Sequence, residues 1–141
     1  CVLFLMVRRT PRCTLFPTRT LFRSGNAVRV PIPNVSIAII NLTLKSDTTK
    51  DEINEFLRDI ALHSKLQNQI SYTQSPDAVS SDFVGTREAC IVDSNATIVN
   101  GNHCVLYLWY DNEFGYCCQV ARMVYKMAGI SYKQYPVEES T

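Results

Sequence analysis

The sequence predicts an α+β domain, a mixed and largely antiparallel sheet with one packing helix and a long C-terminal helix. Three observations predict it. Short runs rich in β-branched and aromatic residues alternate with Gly, Pro, Asn and Asp turns, the pattern of about six strands. One segment behind Thr49 repeats apolar residues at helical spacing. A final strand pattern, Cys104 to Tyr110, runs directly into a second helix pattern. With 141 residues, 46% of them apolar and 19% charged, the chain has enough material for one buried core.

The first strand is expected at Ala27 to Val30. Pro31 and Pro33 then lock φ and restrain the residues before them. Arg29 therefore stands on stiff backbone, where its planar fork can grip a phosphate through two N–H groups; a surface or ion-paired arginine is the plainer alternative. Val35 to Leu44 carries apolar residues on both faces and reads as a central strand. Thr49 and Glu52 have the spacing of a capping box. The helix behind them should run to about Ser64 and pack through Ile53, Phe56, Leu57, Ile60 and Ala61. Gln69 to Thr73, Val79 to Val84, Ala89 to Val92 and Ala96 to Val99 read as short strands, with a turn at Asp93–Asn95. Asn100-Gly101 is a hairpin signal leading into the last strand.

At Tyr107 to Tyr116 an apolar strand ends in polar residues and a helix begins, capped by Asp111 or Asn112 and continuing through Cys117, Val120, Ala121, Val124 and Ala128 to about Gly129. Such a junction gathers free N–H groups and the positive end of a helix dipole, which suits a polar or anionic ligand. A capped helix beside an aromatic core would look the same. His63 reads as a dipole-complementing or surface residue.

Net charge of +1 leaves no overall footprint for nucleic acid, and no apolar run is long enough for a membrane span. The average conceals a division. Residues 1–24 hold five Arg and no acid, whereas the remainder holds nine basic and thirteen acidic residues. Thr14-Leu-Phe-Pro and Thr20-Leu-Phe-Arg-Ser24 look like the translation of a short-read sequencing adapter, so residues 1–24 are expected to be a non-native basic segment rather than a nucleic-acid-binding arm. Residues 131–141 read as an acidic tail. The six cysteines form neither a CxxC pair nor metal-ligand spacing with His63 or His103, and are expected to be free thiols with no metal.

Three strings then converge. Gly25-Asn-Ala-Val-Arg-Val-Pro-Ile-Pro-Asn-Val-Ser36, Val79-Ser-Ser-Asp-Phe83 and Trp109-Tyr-Asp-Asn-Glu-Phe-Gly-Tyr116 resemble, in order and spacing, the C-terminal part of phosphorylating glyceraldehyde-3-phosphate dehydrogenase. The resemblance spans about residues 25–130 and implies an incomplete half of that family's catalytic domain, whose last helix returns to the nucleotide-binding domain. It implies oxidation and phosphorylation of glyceraldehyde 3-phosphate with NAD or NADP in a cytoplasmic homotetramer. Arg29 matches the arginine that binds substrate phosphate or inorganic phosphate. Asn112 matches the asparagine that binds the nicotinamide carboxamide, and Tyr116 the tyrosine beside the ring.

The family's nucleophilic cysteine and its histidine partner lie upstream of the matched strings, so no catalytic residue is assigned and the chain alone is expected to be inactive. Ile32 and Cys117 depart from the Thr and Ser of many members; Ile32 would alter phosphate-site polarity, and Cys117 is expected to pack in the first helix turn. Erythrose-4-phosphate dehydrogenase shares these motifs, and a non-catalytic α+β interaction module is the alternative of a different class.

Overall fold

The computed structural model describes residues 20–28 and 34–130. Arg29 and the Pro31-Ile32-Pro33 segment lie outside the described residues, as do most of the basic segment and the acidic tail. Six strands form one sheet: β1 (Thr20–Val28), β2 (Ser36–Leu44), β3 (Ile70–Thr73), β4 (Cys90–Asp93), β5 (Ile98–Asn100) and β6 (His103–Tyr110). Their order is β1-β2-β6-β4-β3, with β5 also paired to β6. Every pairing is antiparallel except β3 with β4. Helix α1 (Lys50–His63) follows β2, and α2 (Phe114–Met127) follows β6. The result is the α+β architecture with a mixed, mostly antiparallel sheet and a C-terminal helix.

Period-two alternation decides which side chains meet the core. Ala38 and Leu42 of β2, Cys90 and Val92 of β4, and Cys104, Leu106 and Leu108 of β6 share one buried face with Leu57 of α1. Full burial of a leucine contributes about 1.5–3 kcal/mol, so this layer carries much of the domain's stability. The capping box forms as expected: Thr49 Oγ1 accepts from the Glu52 N–H at 3.3 Å, and Glu52 Oε2 accepts from the Thr49 N–H at 3.0 Å. The Thr48 hydroxyl and that amide hold the Glu52 carboxyl below its usual range. Within the expected packing face, Phe56 departs: it is 42% exposed.

On the opposite face, the described residues bury a second cluster at one end. There Val35, Phe83 and Ile91 are buried against Trp109, whose ring centroid lies 5.4 Å from that of Phe83. Val79 to Val84, expected as a strand, is instead a 3-10 turn at Ser80–Phe83. The cause is local competition: Asp82 Oδ2 accepts from the Val79 N–H at 3.0 Å, and the Asp82 N–H returns to the Val79 carbonyl. The aromatic residue that suggested a strand is buried by a tight turn.

β1 also differs from the expected Ala27 to Val30. Its described residues run from Thr20 to Val28, paired along β2 from Leu44 to Ile37. β4 starts one residue late, at Cys90, and β5 is shifted to Ile98–Asn100. The hairpin closes through Gly101 and Asn102, with Asn100 paired to His103 and Gly101 at φ +57°. Glycine supplies that left-handed conformation without a Cβ clash.

Candidate functional site

The C-terminal end of β6 and the N-terminal end of β2 lie side by side, Tyr110 opposite Ser36. Val28, the last described residue of β1, pairs with Ile37 at the same end.

The junction after Tyr110 is organised by Asp111, which is 3% exposed. Its Oδ1 accepts from the backbone N–H groups of Glu113 at 2.9 Å and Phe114 at 2.8 Å, capping the start of α2. Its Oδ2 accepts from the Gly85 N–H at 2.8 Å, tying the same carboxylate to the turn behind Phe83. Burial works against ionisation, but the Gly85 and Glu113 amides, the Asn34 side chain and the Phe114 amide outweigh it and hold the carboxyl below its ordinary value. Of the two expected caps, Asp111 takes the role, which leaves Asn112 available for something else.

Asn112 is half-buried beside Ser36, whose hydroxyl donates to Asn112 Oδ1 at 3.4 Å. The Asn112 amide NH2 has no hydrogen-bond partner among the described residues. Between Asn34 and Ser36 sits Val35, 2% exposed and at φ 72°. A β-branched residue in the left-handed region is strained by about 1–3 kcal/mol. Asn34 Oδ1 accepts the Val35 N–H at 2.8 Å, and packing against Phe83 and Ile91 keeps the conformation in place. Strain of this kind persists where surrounding structure fixes the backbone, here on the residue between the two side chains that face Asp111 and Asn112.

Gly115 sets how closely α2 approaches. A Cβ at that position would lie 2.9 Å from the Glu88 carbonyl oxygen and 3.2 Å from that of Thr86. Farther along, Gln119 Nε2 donates to the Arg87 carbonyl at 2.7 Å, and Arg122 donates to the Asn68 carbonyl. The helix is therefore docked through its polar side. Its apolar side is turned outward: Val120, Met123, Val124 and Met127 are exposed, Met127 by 82%. Cys117, expected to pack in the first turn, is exposed as well. Tyr116 is 40% exposed, next to the Asn112 junction in sequence.

The cysteines of the sheet are poorly suited to nucleophilic chemistry. Burial pushes the Cys90 thiol up to about 12 and the Cys104 thiol up to about 11, which keeps both protonated near neutral pH. His103 is exposed and meets Thr43 rather than Cys104. Among the described residues no cluster of three or more His, Cys, Asp or Glu could hold a metal ion. No helix among them is long and apolar enough to cross a membrane.

Of the residues singled out in the sequence, Asn112 and Tyr116 fall at the β6–α2 junction, and Arg29 lies outside the described residues. Ser36, Val35, Asn34 and Gly115 gave no separate signal, because their roles depend on contacts distant in sequence.

Residues 19–112 match the family model described as glyceraldehyde 3-phosphate dehydrogenase, C-terminal domain. The chain belongs to this family. It is 58% identical over 113 residues to a glyceraldehyde-3-phosphate dehydrogenase-like protein of Pseudomonas aeruginosa, covering 80% of this chain and 24% of that protein. It is 41% identical over 106 residues to the glyceraldehyde-3-phosphate dehydrogenase of Borreliella burgdorferi, covering 74% and 31%. With that of Schistosoma mansoni it shares 36% identity over 110 residues, covering 77% and 32%. The chain thus spans about a quarter to a third of the length of these curated relatives.

Proposed function

We propose that the chain is part of a phosphorylating glyceraldehyde-3-phosphate dehydrogenase, which oxidises and phosphorylates glyceraldehyde 3-phosphate with NAD or NADP in a cytoplasmic homotetramer. In this reading Arg29 holds substrate phosphate or inorganic phosphate. Asn112 holds the nicotinamide carboxamide, and Tyr116 lies beside the ring. The cofactor, when bound, takes up the hydride; this chain's residues bind and orient.

One observation carries the reading. Asn112 stands at a fixed strand-to-helix junction with its amide oxygen engaged by Ser36 and its NH2 group left for a ligand. A primary amide offers that donor to the carbonyl of another amide and so selects which ring face meets the substrate. Val28, the last described residue of β1, pairs with Ile37, the residue after Ser36. In this reading the nucleophile and its histidine lie upstream of the matched strings and the chain by itself is inactive; burial keeps Cys90 and Cys104 protonated, which suits neither to that role.

The same reading divides the chain into a non-native segment at residues 1–24, the partial catalytic domain at 25–130 and an acidic tail at 131–141. The pairing of Thr20 with Leu44 means that the end of the first segment extends the sheet whatever its origin.

Arg29→Ala in a complete enzyme bearing this segment tests the phosphate role. The apparent KM for phosphate is expected to rise roughly 30-fold, the loss of about 2 kcal/mol of charge-assisted hydrogen bonding. An unchanged phosphate requirement would reject the assignment.

A further inference from the structure

We propose that Ser36 is a positioning residue for the cofactor: its hydroxyl fixes the Asn112 amide so that the NH2 group, and not the oxygen, faces the nicotinamide carboxamide. The inference rests on the assignment of Asn112 proposed above and adds a residue and an orientation to it.

The geometry points this way on three counts. Ser36 is 6% exposed, and the only partner of its hydroxyl among the described residues is Asn112 Oδ1. Turning the amide over would place an N–H against the serine oxygen and strand the buried hydroxyl hydrogen without an acceptor among those residues, which a buried donor tolerates poorly. Both partners are also held from behind. Ser36 is fixed in register opposite Tyr110, and Asn112 follows Asp111, whose carboxylate is tied down by three backbone amides. At 3.4 Å the bond is longer than the usual range of about 2.5–3.0 Å for an O–H···O bond.

The consequence is a chemical preference. An amide that offers N–H recognises the carbonyl oxygen of the carboxamide and is indifferent to the carboxamide NH2 group. A 3-acetylpyridine analogue, which keeps the carbonyl and replaces that NH2 with methyl, should retain the full contribution of Asn112.

The test is a double-mutant cycle in a complete enzyme bearing this segment, reading the equilibrium Kd of NAD or NADP, whichever the unmutated enzyme binds, by protein-fluorescence quenching without substrate. Ser36→Ala is expected to weaken binding about fivefold, the effect of one neutral hydrogen bond, and Ser36→Thr to restore it. Ser36→Ala added to Asn112→Ala should weaken binding no further, because the serine acts only through that amide. Asn112→Ala should weaken the cofactor and its acetylpyridine analogue by the same factor. Additive losses, an unchanged Kd for Ser36→Ala, or failure of threonine to rescue would overturn the role of Ser36 while Asn112 kept its own. A smaller Asn112 effect on the analogue than on the cofactor would overturn the orientation. An Asn112→Ala enzyme that binds cofactor normally would reject the underlying assignment as well.

Discussion

Asp111 joins three separate parts of the chain through one carboxylate: the backbone at the start of α2, the backbone of the turn at Gly85 and the Asn34 side chain. Asp111→Ala would leave those amide groups unpaired in a buried place and is expected to destabilise the domain by about 3 kcal/mol, read from urea denaturation. Its folded carboxyl lies below the ordinary value, so the stabilisation is present in full above that value and is lost as pH falls through the depressed one. Acid should therefore remove this contribution progressively as pH falls from the ordinary aspartate range through the depressed value, and the Asp111→Asn protein should lack that component. Equal acid profiles for the two proteins would remove Asp111 as the source. At this scale the sequence was partly legible. Asp-Asn before a helical pattern announced a cap, and the choice between them rested on Gly85, 26 residues earlier. Ser36 and Val35 were illegible for the same reason: a strained backbone and a buried hydroxyl are properties of contacts, not of residue types.

Among the elements, α1 followed local rules and α2 did not. The capping box and the apolar spacing of α1 were sufficient because its partner, the sheet, belongs to the same chain. The spacing in α2 was equally regular, yet the face it defined is exposed, and docking falls to Gly115, Gln119 and Arg122. Gly115→Ala must push the first turn away from the Glu88 carbonyl, which is backbone and cannot swing aside. Cofactor affinity in a complete enzyme should drop about tenfold or more, the size of effect that small displacements of binding groups produce, with Gly115→Ser no better. Normal affinity in the alanine variant would mean that the approach of α2 does not set the Asn112 site. The turn at Ser80–Phe83 teaches the converse: alternating apolar residues suggested a strand, and an aspartate bonded to the backbone three residues earlier overrode them.

For the molecule as a whole, the fold class was readable from periodicity alone, whereas the apolar side of α2 is left exposed among the described residues. Val120, Met123, Val124 and Met127 form a helical stripe of the kind that packs against a partner. The chain covers at most about a third of the matched relatives, and under the proposed function its site is completed by residues elsewhere in the complete enzyme. Grafting residues 25–130 into a complete family enzyme in place of its own segment tests that claim most directly, with cofactor-dependent turnover and the cofactor Kd measured before and after Asn112→Ala. The graft is expected to be active, with a cofactor affinity that falls about tenfold when Asn112 is removed, the equivalent of about 1.4 kcal/mol. A folded graft that turns over with the same cofactor affinity after Asn112→Ala would contradict it.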